Sequence, residues 1–155
     1  MKTLNSLIDK LEISSSNWMK KNGMHLLRLS IGIIFFWFGI LKFFPGLSPA
    51  QDLAIRTISI LTFGLMPAKV SIITLATWEV LIGLGFLSGR FLKLTLLLLF
   101  AQMVGTFMPV FILPNEVFTA IPYAPTLEGQ YIIKNIVVVS AGIVIGANVL
   151  KSKRE

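Results

Sequence analysis

Residues 69–87 read KVSIITLATWEVLIGLGFL, an apolar stretch whose only charges are Lys69 at its start and Glu79 near its middle. As an α-helix at about 1.5 Å per residue it reaches roughly 28 Å, close to the hydrocarbon thickness of a bilayer. Inside lipid, every backbone N–H and C=O must be satisfied within the protein, so the stretch predicts a transmembrane helix. The composition around it agrees. Of 155 residues, 55% are hydrophobic and 14% charged, with a mean hydropathy of +0.82. A soluble domain needs about 25% charged residues to wet its surface. Most of this chain's exterior must therefore face lipid.

Three more spans lie on either side. Residues 26–44 stop at Pro45-Gly46, residues 91–113 hold Pro109 near their end with Pro114 beyond, and residues 131–150 run into the basic tail Lys151, Lys153, Arg154. A further apolar region, 53–66, is interrupted by Arg56 and Gly64 and at about 14 residues is too short to cross, so it reads as an interfacial or re-entrant helix. In residues 1–24, Leu4, Leu7, Ile8 and Leu11 recur at helical spacing. They predict an amphipathic helix lying on the membrane surface, set off from the interfacial anchor Trp18 by the polar run SSSN at 14–17. Residues 114–130 are expected as a polar, proline-containing loop. The expected fold is thus all-α and polytopic: a four-transmembrane-helix bundle over 25–155, one domain, preceded by the surface segment. Residues 1–24 hold Lys2, Lys10, Lys20 and Lys21 and lack the continuous apolar stretch of a signal peptide, so no cleavable signal is expected and the first span is expected to double as an uncleaved signal anchor.

The net charge is +7, but the basic residues sit just outside the apolar runs, where topology and anionic headgroups explain them better than nucleic acid does. Segments 1–28, 88–93 and 151–155 carry ten of the fourteen lysines and arginines. By the positive-inside rule both termini are cytoplasmic, as an even number of crossings requires. No cysteine is present, which excludes disulfides, thiol redox chemistry, thiolate iron–sulfur clusters and covalent c-type haem. The single histidine, His25, has no co-ligands and reads as an interfacial residue, so no metal site is expected. No phosphate loop, hydrolase elbow, zinc signature or Rossmann fingerprint appears, and the reading leans away from an enzyme.

Charges within spans are costly, which makes each a functional candidate. Arg28 lies near a span end and is expected to snorkel to headgroups. Glu79 is too deep for that. Side chains lean toward the N-terminus of their helix. Lys42, on the ascending first span, therefore leans toward the midplane, while Glu79, on the descending second, leans up to meet it. Lys134 sits at a similar height but leans away. Arg28, Gly32, Phe35, Gly39 and Lys42 share one stripe; Ala76, Glu79 and Gly83 share another; Thr95, Gln102, Gly105, Thr106 and Pro109 a third; Lys134, Asn135, Ala141, Gly142 and Gly146 a fourth. Trp37 falls opposite its stripe. Small and polar residues on one face mark the bundle interior. Lys42, Glu79, Gln102, Lys134 and Asn135 are thus the ligand-binding or proton-handling candidates. Two readings stay open for the Glu–Lys pair: it fixes helix register, or it handles a ligand or proton. Gly142 and Gly146 form a small-xxx-small pattern that suits internal packing or a homodimer equally.

The blocks LRLSIG (27–32), WFGILKF (37–43), WEVLIG (78–83) and EGQYIIKN (128–135) resemble the DoxX-like family of small four-helix bacterial inner-membrane proteins. The resemblance covers about residues 25–148, and the first two blocks also resemble its YkgB-like branch. It implies a bacterial cytoplasmic membrane location and an accessory or redox-associated role, some relatives being subunits associated with a thiosulfate:quinone oxidoreductase. It singles out Lys42, Glu79 and Lys134, and brings no catalytic mechanism. The leading expectation is a subunit of a redox complex with no intrinsic cofactor, binding a quinone-like or lipid-like molecule at the inward polar cluster. The alternatives are a small proton-coupled transporter using Glu79 and a structural partner subunit without ligand.

Overall fold

The computed structural model describes residues 2–151, with side chains from 8 to 150. Its elements in chain order are α1 (Lys2–Leu41), α2 (Gln51–Leu61), α3 (Ala68–Ser88), α4 (Leu92–Phe107), α5 (Pro109–Ile112), α6 (Pro114–Val117), β1 (Phe118–Ala120), β2 (Ala124–Pro125) and α7 (Leu127–Lys151). Among the described residues, four helices are long and apolar enough to cross a membrane: α1 over Ile8–Leu41, α3, α4 continued through α5 as Leu92–Ile112, and α7 over Leu127–Leu150.

The N-terminal segment departs from expectation. Among the described residues the expected surface helix is not separate from the first span; α1 runs unbroken through residues 14–17 for 40 residues, about 60 Å at 1.5 Å per residue. The serines and asparagine are polar but carry no helix-breaking geometry, and no proline occurs before Pro45. The first span also ends sooner than the apolar pattern suggests, at Leu41 instead of residue 44. Ahead of Pro45 the amides of Lys42, Phe43 and Phe44 bond three residues back, to Gly39, Ile40 and Leu41, in a tightened final turn.

Proline and glycine set the other boundaries. Pro109 has no N–H to give to Gly105, whose carbonyl accepts from Met108 instead (3.2 Å), and this breaks the third span into α4 and α5. Helix α3 ends on Gly89 in the left-handed conformation (φ 68°), its N–H bonded to the Gly85 carbonyl. The region expected to be interfacial is the helix α2, which closes through the left-handed pair Phe63 and Gly64 (φ 54° and 75°). The stretch expected as loop is more ordered than its composition suggests. It holds α6 and an antiparallel two-stranded ribbon, β1 with β2. Thr126 then caps α7: its hydroxyl accepts from the Gly129 amide (3.1 Å) and donates to the Glu116 carbonyl (2.8 Å).

Among the four long helices, α1 packs most extensively on α3, and α4 packs on both α3 and α7. Glycine allows the close α1–α3 approach. A methyl group at Gly83 would collide with the backbone of Phe36, and one at Gly32 would lie 3.0 Å from the backbone nitrogen of Leu87. Ile31, Phe35, Ile82, Phe86, Leu99 and Ile145 fill the main core. At the loop end, Leu53 of α2, Val117 and Ile132 form a second, smaller core that seats α2 on the bundle. The outside is apolar as well: Trp37, Leu97, Val104 and Val137 are all exposed, as lipid contact demands.

Candidate functional site

The glycine-based approach of α1 to α3 is what assembles the polar cluster. Gly39 faces Glu79 and Val80, and one turn later Lys42 reaches across. Its Nζ donates to Glu79 Oε2 at 2.6 Å, with a longer bond at 3.4 Å to the Phe38 carbonyl. From the third side, Gln102 on α4 donates through Nε2 to Glu79 Oε1 at 2.9 Å. Both oxygens of the carboxylate are thereby held, one from the turn that ends α1 and one from α4. The Lys42 and Glu79 side chains are each only 12% exposed. For an ion pair this sheltered, good geometry and additional hydrogen bonds offset the cost of desolvation. Each Glu79 oxygen has one partner, whereas Oε1 of Gln102 is buried and has none.

The inward stripes are found largely where the spacing places them. Gly32, Phe35, Gly39, Ala76, Glu79, Gly83, Thr95, Gln102, Pro109, Ala141 and Gly142 are buried, and Trp37 faces outward. Lys134 is the exception. It is exposed, with Nζ 5.8 Å from the centroid of its neighbour Tyr131's ring, and takes no part in the cluster. It lies two residues, about 200° of helix, from the buried Ile132, so it faces away from the interior. Asn135 is half-buried, and its amide donates to the Tyr131 carbonyl one turn back (3.0 Å), not to the cluster.

Arg28 also differs from expectation. It does not simply reach for headgroups: Nη1 donates to the Phe86 carbonyl at 2.7 Å, and the guanidinium lies against Gly89. A cation on the terminal carbonyls of α3 answers the negative end of that helix. His25 is exposed, and among the described residues no group of three His, Cys, Asp or Glu side chains could hold a metal ion.

Several contacts had no local signature in the sequence. Trp78 Nε1 donates to the Leu98 carbonyl (3.0 Å) and ties α3 to α4 one residue from Glu79. Thr106 Oγ1 donates to the Gln102 carbonyl (3.0 Å). At the loop end Arg56 of α2 pairs with Glu116 of α6 at 2.8 Å. Of these residues only Arg56 carried a hint, as a charge that interrupts an apolar region.

A polytopic helical membrane protein with a three-helix Lys–Glu–Gln cluster inside its bundle is the class that fold and site define. The DoxX family model matches residues 23–112, more than half of the chain, and the chain belongs to that family. The match takes in Lys42, Glu79 and Gln102 and ends at α5, so the resemblance read from residues 128–135 lies outside it. No curated protein and no solved structure matches the chain.

Proposed function

We propose that this DoxX family membrane protein is an accessory, redox-associated subunit whose Lys42–Glu79–Gln102 cluster binds the polar head of a quinone-like or lipid-like molecule. The observation that carries this reading is the convergence of three helices on one sheltered carboxylate, with donor capacity left over. A lysine ammonium has three N–H donors, and Glu79 and Phe38 engage two of them. The third suits a carbonyl or ester oxygen of a molecule dissolved in the bilayer, and the donor set therefore fits a quinone head. Lys134 has no part in this reading. The bias of lysine and arginine toward the end of the bundle that holds both termini supports a bacterial cytoplasmic membrane topology with those termini inside.

The protein purified in native-lipid particles should retain an isoprenoid quinone or a lipid through gel filtration, as read by extraction and mass spectrometry. Glu79→Gln, which removes the charge that holds Lys42, should lose most of it. A particle that retains nothing, and whose thermal unfolding is unmoved by decylubiquinone or dioctanoylglycerol, would falsify the reading. The structural alternative would then stand. It too has an observation in its favour: the 2.6 Å pair joins the same two helices that glycine packing brings together.

A further inference from the structure

The unpartnered oxygen of Gln102 says more about the ligand than the ion pair does. An amide carries two N–H donors and one acceptor oxygen, and which end faces Glu79 is decided by charge. Glu79 Oε1 needs a donor, so Nε2 takes that side at 2.9 Å and Oε1 is turned away. The reverse orientation would set the amide oxygen against a carboxylate oxygen. Gln102 is 9% exposed, and its Oε1 is buried without a donor. Open space lies one turn away. Gly105, one turn further along α4, has no heavy atom within 4 Å of where a Cβ would stand, in contrast to the crowded Gly39, Gly83 and Gly142. A side chain at 105 would lean back over the turn that carries Gln102, and glycine leaves that space open.

Resting on the ligand-binding reading above, we infer that the cluster recognises a hydroxyl group: the head of a membrane-soluble alcohol or phenol donates its O–H to Gln102 Oε1 beside Gly105. A ketone, a quinone carbonyl or an ester has no hydrogen to give and leaves Oε1 unpaired. A hydroxyl also has lone pairs to accept the remaining N–H of Lys42. The site therefore distinguishes a hydroquinone from its quinone, or a lipid alcohol from its ether, where a site built on Lys42 alone does not.

Two matched pairs test this on the full chain in nanodiscs under anaerobic conditions: decylubiquinol against decylubiquinone, and 1,2-dioctanoylglycerol against its 3-O-methyl ether. Affinities are read by titrated thermal unfolding and native mass spectrometry. The hydroxyl-bearing member of at least one pair should bind about tenfold tighter, the scale of one buried hydrogen bond. The pair that shows the preference identifies the source. Gln102→Met should abolish the preference, and Gly105→Leu, which fills the space, should weaken binding of both members. Equal binding within both pairs, with Glu79→Gln still abolishing it, overturns the hydroxyl inference but leaves the binding site. Absence of binding by all four compounds, with water alone serving Oε1, overturns both. The comparison of pairs on the unaltered protein does not depend on either variant folding.

Discussion

Gly39 stands directly against Glu79: a Cβ at position 39 would lie 3.0 Å from the Cβ of Glu79 and 2.9 Å from the backbone nitrogen of Val80. The missing side chain is what lets Lys42, three residues on, close its 2.6 Å bond to the carboxylate. Packing and polar chemistry are thus one feature. The helices approach closely because α1 presents glycine, and the charges meet inside lipid because the helices approach.

Replacing that glycine should therefore damage both. Gly39→Ala is expected to destabilise by about 1–3 kcal/mol, the usual cost of overpacking, because the nearest atoms include α3 backbone that cannot swing aside. Gly23→Ala is the control, since nothing lies within 4 Å of its Cβ position. It should be neutral or slightly stabilising through helix propensity. Thermal unfolding in a fixed detergent compares the two, and equal effects would refute the close-packing account.

Removing one member of the ion pair should cost more than removing both. Lys42→Met leaves a carboxylate uncompensated, and Glu79→Met leaves an ammonium, each expected to cost about 3–5 kcal/mol. The double variant should recover a large part of the loss, because an apolar pair requires no desolvation of charge. A thermal-unfolding double-mutant cycle reads this coupling, and additive losses would show that the two charges do not depend on each other.

Arg28 tests the helix-end interaction. Arg28→Ala should destabilise by about 1.5–3 kcal/mol, as expected for losing a hydrogen bond from a charged group to the Phe86 carbonyl. Gly89→Ala should also destabilise, through its left-handed φ of 68° and its collision with the guanidinium. Amide exchange at the end of α3 should rise in both. Protection unchanged in Arg28→Ala would reduce Arg28 to a headgroup contact.

Gly142 decides between internal packing and dimerisation. A methyl group there would lie 2.9 Å from Leu99 Cδ2 and 3.2 Å from the Phe100 ring, both on α4 of the same chain. Gly142→Ile should lower the unfolding temperature without changing the molecular mass measured by light scattering in detergent. A change in mass with unaltered stability would instead place the glycine between chains.

The inward face of each long helix was legible because only small or polar residues break the runs of Leu, Ile, Val and Phe, and these breaks recur at helical spacing. Lys42 and Glu79 were legible as partners because side chains on oppositely running helices lean toward each other. Lys134 misled for a related reason. Depth in the membrane follows from counting residues, but facing depends on about 100° per position, and Asn135 beside it lies on a different face. The unbroken α1 was hidden because a polar run reads as a boundary in composition, although serine and asparagine do not stop a helix already propagating. The strands β1 and β2 hold five residues in all, too few for any period to appear.

The sequence by itself determined the solvent, the number of spans and the place of each charge along its span. These follow from transfer free energies and helix rise, which act residue by residue. Tertiary structure decided which charges meet. Gln102 becomes a ligand of Glu79, and its oxygen an acceptor without a donor, only when α4 is set against α3 at a particular rotation. Arg28 becomes a cap for α3 only because Gly89 leaves room for it. Such contacts depend on the relative placement of helices at ångström scale, and glycine packing at Gly32, Gly39 and Gly83 fixes that placement for α1 and α3.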